Sequence, residues 1–365
     1  MSGPLRIGVD ARELLGDATG VGRYLGELIR RWTIRSDAAA RRFTLYAPEA
    51  LPLPLPEAAV EYRIGGKGRG TWWEQTWLRR AVRADRPDVF FAPAYTAPLG
   101  TGVATVVTIH DIAFVAHPEW FRIREGLRRR WLTEHAARTA ALVLTVSEFS
   151  RQEIERHFNI AGCRIRVIRE GLAPRAAGTQ SASRREPLVL YVGSILNRRR
   201  LPDLIGAFAR ATPDIPDARL VIVGDDRSWP PLNLPAVAHA HGVERKVEIR
   251  RYVDDEELAR LYAGASVFGF LSEYEGFGIT PLEALAAGVP SVVLDTPVAR
   301  EIYGDAAVYV PPDDRHATAG AIRRLLTVAG ERAAVLAQGP AVLARYSWDS
   351  AAAATLAAIE GVARR

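Results

Sequence analysis

The stretch Ala265–Asp295, ASVFGFLSEYEGFGITPLEALAAGVPSVVLD, contains the pattern of a strand, a loop, a helix and a second strand. Ala265–Leu271 is short and apolar, which predicts a buried parallel strand. Thr280–Ala287 is predicted to form the helix, with Thr280 as its N-cap, and Ser291–Leu294 is predicted to form the next strand. The loop between the first strand and the helix therefore lies at the carboxyl end of a parallel sheet, where open α/β sheets bind ligands.

This loop combines features suited to a bulky anion and to hydroxyl groups. Gly276 and Gly278 have no side chain, so an anion can approach the backbone closely. The amides at the start of the helix, around Ile279, present the positive end of the helix dipole. Glu275 and Glu283 are separated by seven residues, and carboxylates accept hydrogen bonds from paired sugar hydroxyls. The combination predicts a binding site for a nucleotide-linked sugar.

Glu283 also has a purely structural interpretation. It lies three residues after Thr280, which is the spacing of a capping box at a helix N-terminus. The capping role and the ligand role are compatible in one side chain.

Glu275–Val293, EGFGITPLEALAAGVPSVV, resembles almost residue for residue the Glu-x7-Glu signature of retaining GT-B glycosyltransferases, specifically glycosyltransferase family 4. The resemblance implies an α/β protein of the GT-B fold, with two Rossmann-like doubly wound domains facing a central cleft. It also implies transfer of a sugar from a nucleoside diphosphate to a hydroxyl acceptor, with the anomeric configuration retained.

The resemblance assigns roles within the loop and the helix. Glu275 would position the donor sugar, together with the amides of Gly276, Phe277 and Gly278. Glu283 would hold the ribose diol. The amides near Ile279 and Thr280 would stabilise charge on the leaving diphosphate.

The composition is that of a soluble enzyme with two cores. The chain has 365 residues, of which 48% are hydrophobic and 25% charged, and this length predicts two domains. Cys163 is the only cysteine, which fits a reducing compartment. The start, MSGPLRIGVD, has no apolar signal segment, and no apolar run approaches the ~20 residues of a membrane span. We expect a cytoplasmic protein, with peripheral contact to the inner face of the membrane left open.

The net charge of +6 leaves several partners open. Nucleic acid, a membrane surface or an anionic substrate each accounts for a basic protein, and so does a solvated arginine-rich surface. Nothing except the charge suggests nucleic acid, so we expect no nucleic-acid partner. A nucleic-acid binder would show strongly salt-dependent binding to DNA.

The pattern of strands and helices divides the chain into four segments. Residues 1–172 are predicted to form the N-terminal, acceptor-side domain, and residues 173–186 form an aperiodic linker rich in Ala, Ser, Gly and Arg. Residues 187–345 are predicted to form the domain that binds the nucleotide sugar. Residues 346–365 are alanine-rich, and the resemblance implies a last helix that crosses back onto the first domain.

The first strand, Leu5–Asp10, precedes a glycine-containing loop that reaches Gly22. Gly20-x-Gly22 matches half of a dinucleotide fingerprint but lacks the third glycine. In the family that the chain resembles, this loop faces the cleft near the acceptor and the donor phosphates. A plain strand-to-helix turn is the alternative.

The apolar strand Val103–His110 ends in His110 and Asp111. A histidine at the carboxyl end of a strand can donate to a sugar hydroxyl, and the resemblance places His110 over the donor sugar. The alternative is a buried histidine held by hydrogen bonds. Asp111 either orients the imidazole or starts the next turn.

Two segments combine tryptophan with other features. Trp72, Trp73 and Trp77 lie on a predicted helix, Thr71–Ala84, and are expected to belong to the core.

Trp120–Trp131, WFRIREGLRRRW, interleaves aromatic residues with arginines. This segment is either a solvated helix with one packed face or a surface for anionic lipid headgroups.

A second basic loop follows the predicted strand Leu188–Val192. Gly193 and Ser194 begin the loop, and three arginines end it at Arg200. Arginines at the carboxyl end of a strand predict anion binding, and the resemblance implies that a basic pair here holds the donor diphosphate. Arg199 stands where the family usually has lysine. Ser194 stands where many members have arginine, which leaves Arg198 or a backbone group to supply the second contact.

The resemblance places the nucleotide base near Tyr252 and Val253, although Arg251 replaces the usual glycine. Asp225 and Asp226 are adjacent, which is unlike the spaced Asp-x-Asp of metal-dependent sugar transferases. Turn chemistry explains the two aspartates better, and we expect no metal and no cofactor besides the nucleotide-sugar substrate.

The sequence therefore predicts a retaining glycosyltransferase that uses a nucleotide-sugar donor and a glycan or lipid-linked acceptor. The segments VVTIHDIAF and GDAAVYV resemble those of family members that use GDP-mannose or a related GDP-hexose in polysaccharide assembly, and the resemblance favours such a donor. Alternatives are a UDP-sugar donor, a nucleotide-sugar epimerase of the same fold, and a binding protein without turnover. The presence of Glu275, Glu283 and the basic loop argues against the binding protein.

Overall fold

The computed structural model describes residues 3–16, 20–35, 37, 40–52, 55, 60–172 and 185–364. The chain forms two compact units. Unit 1 consists of Met1–Val115, Arg124–Gly171 and Tyr346–Arg365, and unit 2 consists of Ala116–Ile123 and Leu172–Arg345. Most of the predicted linker, residues 173–184, lies outside the described residues.

The described residues of unit 1 form a parallel sheet whose strand order is β3-β2-β1-β4-β5-β6-β7. The order reverses between β1 and β4, as in a doubly wound fold. The strands are β1 Leu5–Asp10, β2 Arg41–Ala47, β3 Val60–Ile64, β4 Val89–Ala92, β5 Thr105–Thr108, β6 Leu142–Thr145 and β7 Ile165–Val167.

The described residues of unit 2 repeat this arrangement in a second parallel sheet, with the order β10-β9-β8-β11-β12-β13. Here the order reverses between β8 and β11. The strands are β8 Leu188–Val192, β9 Arg219–Val223, β10 Val247–Arg250, β11 Val267–Phe270, β12 Ser291–Leu294 and β13 Val308–Val310.

The helices are α1 Val21–Thr33, α2 Thr71–Trp73, α3 Arg79–Asp85, α4 Ala113–Ala116, α5 Ile123–Thr139, α6 Glu148–Phe158, α7 Leu201–Ala211, α8 Leu234–Ala240, α9 Asp255–Gly264, α10 Ile279–Ala286, α11 Pro297–Tyr303, α12 Arg315–Thr327, α13 Ala329–Ala337, α14 Gly339–Leu343 and α15 Trp348–Ala363. A π-helical segment, Glu74–Leu78, joins α2 to α3. Within the described part of the chain, no helix has the length and apolar character needed to cross a bilayer.

The last helix, α15, belongs to the core of unit 1. Trp348 is buried together with Leu356 and Ile359. The indole nitrogen of the buried Trp32 on α1 donates to the carbonyl oxygen of Ala352 at 2.9 Å. Ser347 caps the helix by accepting from the Ser350 amide. An alanine-rich helix packs closely because its small side chains let the two backbones approach each other.

The central strands are apolar and buried, as expected for a parallel sheet covered by helices on both faces. All residues of β4 and β11 are buried. Arg185 closes one end of unit 2, where its guanidinium donates to the carbonyl oxygens of Tyr262, Ala265 and Gly288 at 2.8–3.0 Å. The α/β class and the two Rossmann-like sheets predicted from the sequence are confirmed.

Candidate nucleotide-sugar site

The two loops singled out in the sequence meet at the strand-order reversal of unit 2. One follows β8 and the other follows β11. The carbonyl oxygen of Arg198 in the first loop accepts from the Glu273 amide in the second at 2.9 Å. The geometry thus joins the basic loop to the glutamate loop at the place where doubly wound sheets bind ligands.

The start of the basic loop is held close to the backbone of its neighbour. Gly193 has a φ of +144°, and a Cβ placed on Gly224 would lie 1.9 Å from the Gly193 carbonyl oxygen. The Tyr191 hydroxyl donates to the carbonyl oxygen of Ser194 at 2.8 Å. The backbone of this turn is therefore fixed by glycines and by one tyrosine.

Arg198 and Arg199 lie in a short 3₁₀ turn, Asn197–Arg199, and both approach Glu275. The Nε of Arg199 lies 2.8 Å from the Glu275 Oε1, and the Nε of Arg198 lies 3.8 Å from the same atom. The Arg199 guanidinium also stacks over the Phe270 ring at 4.5 Å. Two guanidinium groups next to one carboxylate leave a positive excess, which suits a diphosphate.

Glu275 is almost completely buried, with 7% of its surface exposed. Besides its ion pair with Arg199, it accepts from the Ser272 hydroxyl at 2.5 Å. Ser272, Glu275 and Tyr303 line a small cavity of about 10 Å³. The carboxylate is therefore held in a fixed orientation at the edge of this cavity.

The start of α10 differs from the sequence prediction. The helix begins at Ile279, and the N-cap is Gly278, with a φ of +78° and no side-chain cap. Thr280 is already helical, and its buried Oγ1 has no hydrogen-bond partner among the described residues. The predicted Thr280 N-cap and its capping box with Glu283 are wrong, because Gly278 turns the chain into the helix two residues earlier.

Glu283 lies on the first turn of α10, and 7% of its surface is exposed. The capping-box interpretation of Glu283 is wrong, because Gly278 and not Thr280 is the N-cap of α10. The ligand role that the resemblance implies for Glu283 stays a prediction.

Tyr303 on α11 supports the turn at Gly278. Its hydroxyl donates to the Gly278 carbonyl oxygen at 2.7 Å, and a Cβ on Gly278 would lie 2.3 Å from that hydroxyl. The neighbouring Gly276 and Phe277 are buried. The positive φ and the close contact together explain why glycine stands at position 278.

The region predicted to contact the nucleotide base lies after β10. Tyr252 is 75% exposed, so its ring is open to stacking, and Val253 is half-buried. Arg251, which stands at the usual glycine position, forms an ion pair with Asp225 at 2.9 Å. Arg227 and Arg251 lower the pKa of Asp225 through hydrogen bonds. Asp225 therefore stays ionised and pairs with these two arginines.

His110 lies just after β5 in unit 1 and is buried. Its Nε2 lies 3.0 Å from the Pro93 carbonyl oxygen, and its Nδ1 lies 3.3 Å from the Glu170 carboxylate. The Tyr24 ring packs edge-on against the imidazole at 4.9 Å. These contacts orient the imidazole, and they match the hydrogen-bonded histidine that the sequence left as the alternative.

Asp111 and the two N-terminal glycines form turns in unit 1. Asp111 accepts from the Ala113 amide at 3.0 Å, and the carboxylate of Glu170 lies 3.3 Å from the His110 Nδ1. Gly20 starts α1 with a φ of +52°. A Cβ on Gly22 would lie 2.4 Å from the Glu13 carbonyl oxygen, so Gly22 is required by the turn itself. Residues 17–19 of this loop lie outside the described residues.

A cluster that was not predicted from the sequence lies at the strand-order reversal of unit 1. It consists of the buried Asp10, Arg12 and Glu74 and the half-buried Thr96, and we call it the Asp10 cluster. The Arg12 Nη2 lies 3.0 Å from the Asp10 Oδ2 and 3.1 Å from the Glu74 Oε1. The Thr96 hydroxyl donates to Glu74 at 2.8 Å. Two buried carboxylates thus share one buried guanidinium. The position of Asp10 at the end of β1 was the only sequence signal, because its partners are distant along the chain.

The Asp10 cluster predicts a pH-dependent stability. Burial is the main cause that raises the pKa of Asp10 to about 6, and Glu74 raises it further while Arg12 opposes the shift. Between an unfolded value near 3.8 and a pKa of about 6, the folded protein binds more protons than the unfolded chain. The free energy of unfolding therefore falls as the pH rises through this window.

We expect Asp10→Asn to remove this dependence. Relative to the wild type, the variant should gain about 2–3 kcal/mol in the free energy of unfolding between about pH 4 and pH 7. Urea unfolding of both proteins across this range measures the difference. A difference that stays constant with pH would contradict the assignment to Asp10.

Two parallel Rossmann-like sheets, each with a strand-order reversal, are the fold of GT-B glycosyltransferases. The family model described as glycosyl transferases group 1 matches residues 178–339, and the model of glycosyltransferase family 4 matches residues 18–176. The chain belongs to glycosyltransferase family 4.

Individual relatives agree with this assignment. The O-antigen chain mannosyltransferase B of Escherichia coli is 27% identical over 366 residues, which cover 93% of this chain and 95% of the relative. The GDP-mannose:cellobiosyl-diphosphopolyprenol alpha-mannosyltransferase of Komagataeibacter xylinus is 31% identical over 229 residues, which cover 61% of this chain and 57% of the relative. The structure of sucrose-phosphate synthase from Thermosynechococcus elongatus matches with a TM-score of 0.77 at 20% identity, covering 98% and 99% of the two chains.

Proposed function

We propose that this protein is a retaining glycosyltransferase that transfers a sugar from GDP-mannose, or a related GDP-hexose, to a hydroxyl group of a glycan or lipid-linked acceptor. The observation that carries this proposal is the ion pair between the half-buried Arg199 and the buried Glu275 at the reversal of the unit 2 sheet. The name of the Komagataeibacter xylinus relative includes GDP-mannose, which supports the donor. The name of the Escherichia coli relative, an O-antigen chain mannosyltransferase, supports mannosyl transfer in polysaccharide assembly.

In the proposed complex, the donor diphosphate lies against Arg198, Arg199 and the first amides of α10. A phosphate placed there meets both the guanidinium groups and the positive end of the helix dipole. The Glu275 carboxylate then accepts from hydroxyl groups of the donor sugar. The diphosphate thus replaces a carboxylate as the partner of Arg199, and the sugar hydroxyls replace the guanidinium as a partner of Glu275.

The nucleoside part is assigned to residues farther along unit 2. Glu283 accepts from the ribose diol, and the exposed Tyr252, with Val253, contacts the base. The backbone of Gly193 and Ser194 lines the diphosphate. For unit 1 we propose that His110, whose imidazole is oriented by Pro93 and Glu170, takes part in sugar binding, and that the loop of Gly20 and Gly22 contributes to phosphate or acceptor binding. No cofactor or metal is required in this scheme.

Charge stabilisation is the main catalytic contribution of these residues. As the glycosidic bond breaks, negative charge develops on the leaving diphosphate, and preorganised donors at Arg198, Arg199 and the helix start stabilise it. Retention follows if the acceptor attacks the same face of the sugar from which the diphosphate leaves. A diphosphate oxygen then takes the proton of the acceptor hydroxyl.

A thermal-shift panel with GDP, UDP, ADP and dTDP tests the donor. A nucleotide present at about 100 times its Kd stabilises the protein by about 2.7 kcal/mol, and we expect GDP to give the largest shift. A larger shift with UDP would support the alternative UDP-sugar donor. No shift with any nucleotide would contradict the proposed function. Product analysis without acceptor separates a transferase from an epimerase, which would isomerise the nucleotide sugar.

The same panel tests Glu283. We expect Glu283→Ala to weaken nucleotide binding by about tenfold or more, because the ribose diol loses a charged acceptor. Glu256→Ala, an exposed glutamate of α9, is the matched control and should bind as the wild type does. If Glu283→Ala lowered only the melting temperature and left the affinity unchanged, its role would be structural.

A further inference from the structure

One face of α5 exposes large apolar side chains. Ile123 is 81% exposed, Leu127 63% and Trp131 58%. They recur every fourth residue, so they lie on one side of the helix. Single exposed apolar residues are normal on a protein surface, whereas a continuous apolar ridge marks an interaction site.

The opposite face of α5 packs into unit 1. Its buried residues include Leu132 and Ala136. The helix is therefore already anchored by one side, and the apolar ridge is a second face, turned outward.

Trp72 extends the ridge beyond α5. It is 78% exposed on α2. The core position predicted for Trp72 is therefore wrong, whereas Trp73 is buried as predicted. The Arg128 side chain on α5 is hydrogen bonded to the hydroxyl of Thr71, the residue before Trp72. This contact links α2 to α5 within unit 1, to which Trp72, Leu127 and Trp131 belong.

Arginines border the ridge. Arg124, Arg128 and Arg130 are exposed on α5. The two glutamates of the helix, Glu125 and Glu134, lie 2.6 Å and 2.7 Å from Arg129 and Arg138 in ion pairs. The acidic charge of α5 is thus compensated within the helix, and the arginines beside the ridge give it a positive rim.

We propose that Trp72 and the outer face of α5 form a docking surface for an anionic lipid bilayer. Tryptophan, leucine and isoleucine enter the boundary between headgroups and acyl chains, and the arginine side chains reach the lipid phosphates. This charge pattern disfavours a second copy of the chain as the occupant, because two positive rims would face each other. The inference does not depend on the proposed donor or acceptor.

Co-sedimentation of the full chain with vesicles tests the proposal. We expect binding to vesicles of phosphatidylcholine mixed with phosphatidylglycerol and much weaker binding to phosphatidylcholine alone. Leu127→Ser/Trp131→Ser and Arg124→Gln/Arg130→Gln should each lower the partition coefficient by about tenfold or more. Raising the salt from about 0.1 M to about 1 M should weaken wild-type binding, because the Debye length falls from about 10 Å to about 3 Å.

Matched variants control for polarity and charge. Ile34→Ser removes an apolar side chain that is 75% exposed elsewhere, and Arg245→Gln/Arg324→Gln removes two exposed arginines of unit 2. Both should bind vesicles as the wild type does, and near-wild-type melting temperatures establish that all variants fold. Equal binding by the α5 variants would overturn the proposal. A dimer that dissociates in the Leu127→Ser/Trp131→Ser variant would also overturn it, in favour of a second copy as the occupant.

Discussion

Arg199→Met is expected to lower kcat by about 10²–10³-fold, with a smaller effect on KM for the donor. The reason is that Arg199 faces the diphosphate in the proposed complex, and the negative charge on that group grows as the glycosidic bond breaks. Removal of one preorganised donor to a developing anion has an effect of this size in other enzymes. Steady-state kinetics with the nucleotide sugar identified by the thermal-shift panel measures it.

The partner of Arg199 allows a stronger design. Arg199→Met leaves the buried Glu275 carboxylate without its 2.8 Å ion-pair partner, which itself destabilises the loop. Glu275→Gln keeps the shape of the side chain and removes the charge. We expect Glu275→Gln alone to lower turnover. The double variant Arg199→Met/Glu275→Gln should fold as well as the wild type but stay inactive. Stability and catalysis are thereby separated.

Arg200→Met is the matched control. Arg200 is adjacent in sequence but its Nε lies 2.7 Å from Asp203 and 3.1 Å from Glu273, so it is a structural ion-pair residue. Because Arg200 pairs with Asp203 and Glu273 and not with the proposed diphosphate, its variant should keep kcat within about threefold of the wild type, a change of about 0.7 kcal/mol or less in the activation free energy. If Arg199→Met and Arg200→Met lowered kcat equally, the proposed diphosphate contact of Arg199 would be wrong.

The parts of the fold that follow from local pattern were predicted well. Strands β1, β8 and β12 have the predicted bounds, because apolar strands between polar turns are determined by nearby residues. The meeting of the basic loop and the glutamate loop could also be predicted from the sequence. Both loops follow the carboxyl ends of parallel strands, and the reversal of strand order brings these ends together.

The errors have physical causes that one sequence does not show. Thr280 looked like an N-cap because its chemistry fits, but the positive φ of Gly278 starts the helix earlier. The strand predicted over Val103–His110 pairs only over Thr105–Thr108, because apolar residues continue past the last ladder hydrogen bond. Trp72 is apolar yet exposed, and only packing decides which side of a helix is buried.

Long-range pairing accounts for the residues that were missed. Glu170 reaches His110 across 60 positions of sequence, and the Asp10 cluster joins the ends of β1 and β4 with the π-helical segment. Each residue alone has an ordinary context in the sequence. Their electrostatic coupling exists only after the sheet has brought the strand ends together, so sequence periodicity cannot reveal it.

Gly278→Ala is expected to lower the free energy of unfolding by about 2–4 kcal/mol, or the melting temperature by about 5–10 °C. A left-handed conformation is unfavourable for alanine by about 1–2 kcal/mol, and the new Cβ would lie 2.3 Å from the Tyr303 hydroxyl. Either the turn or α11 has to move. Because the turn presents the first amides of α10, donor affinity should fall together with stability.

A double-mutant cycle with Tyr303→Phe separates the two causes. Tyr303→Phe alone removes the 2.7 Å hydrogen bond to the Gly278 carbonyl oxygen, with an expected loss of about 1 kcal/mol. In the double variant the colliding hydroxyl is gone, so the combined loss should be smaller than the sum of the two single losses. Strict additivity would mean that the backbone conformation alone determines the effect.

Gly330→Ala is the reference for the cycle. Gly330 lies on α13, and a Cβ there meets nothing within 4 Å, so alanine should be neutral or stabilise the helix by up to about 1 kcal/mol. If Gly278→Ala behaved like Gly330→Ala and nucleotide affinity were unchanged, the turn would not have the left-handed geometry described. The first amides of α10 would then have no fixed position from which to hold a diphosphate.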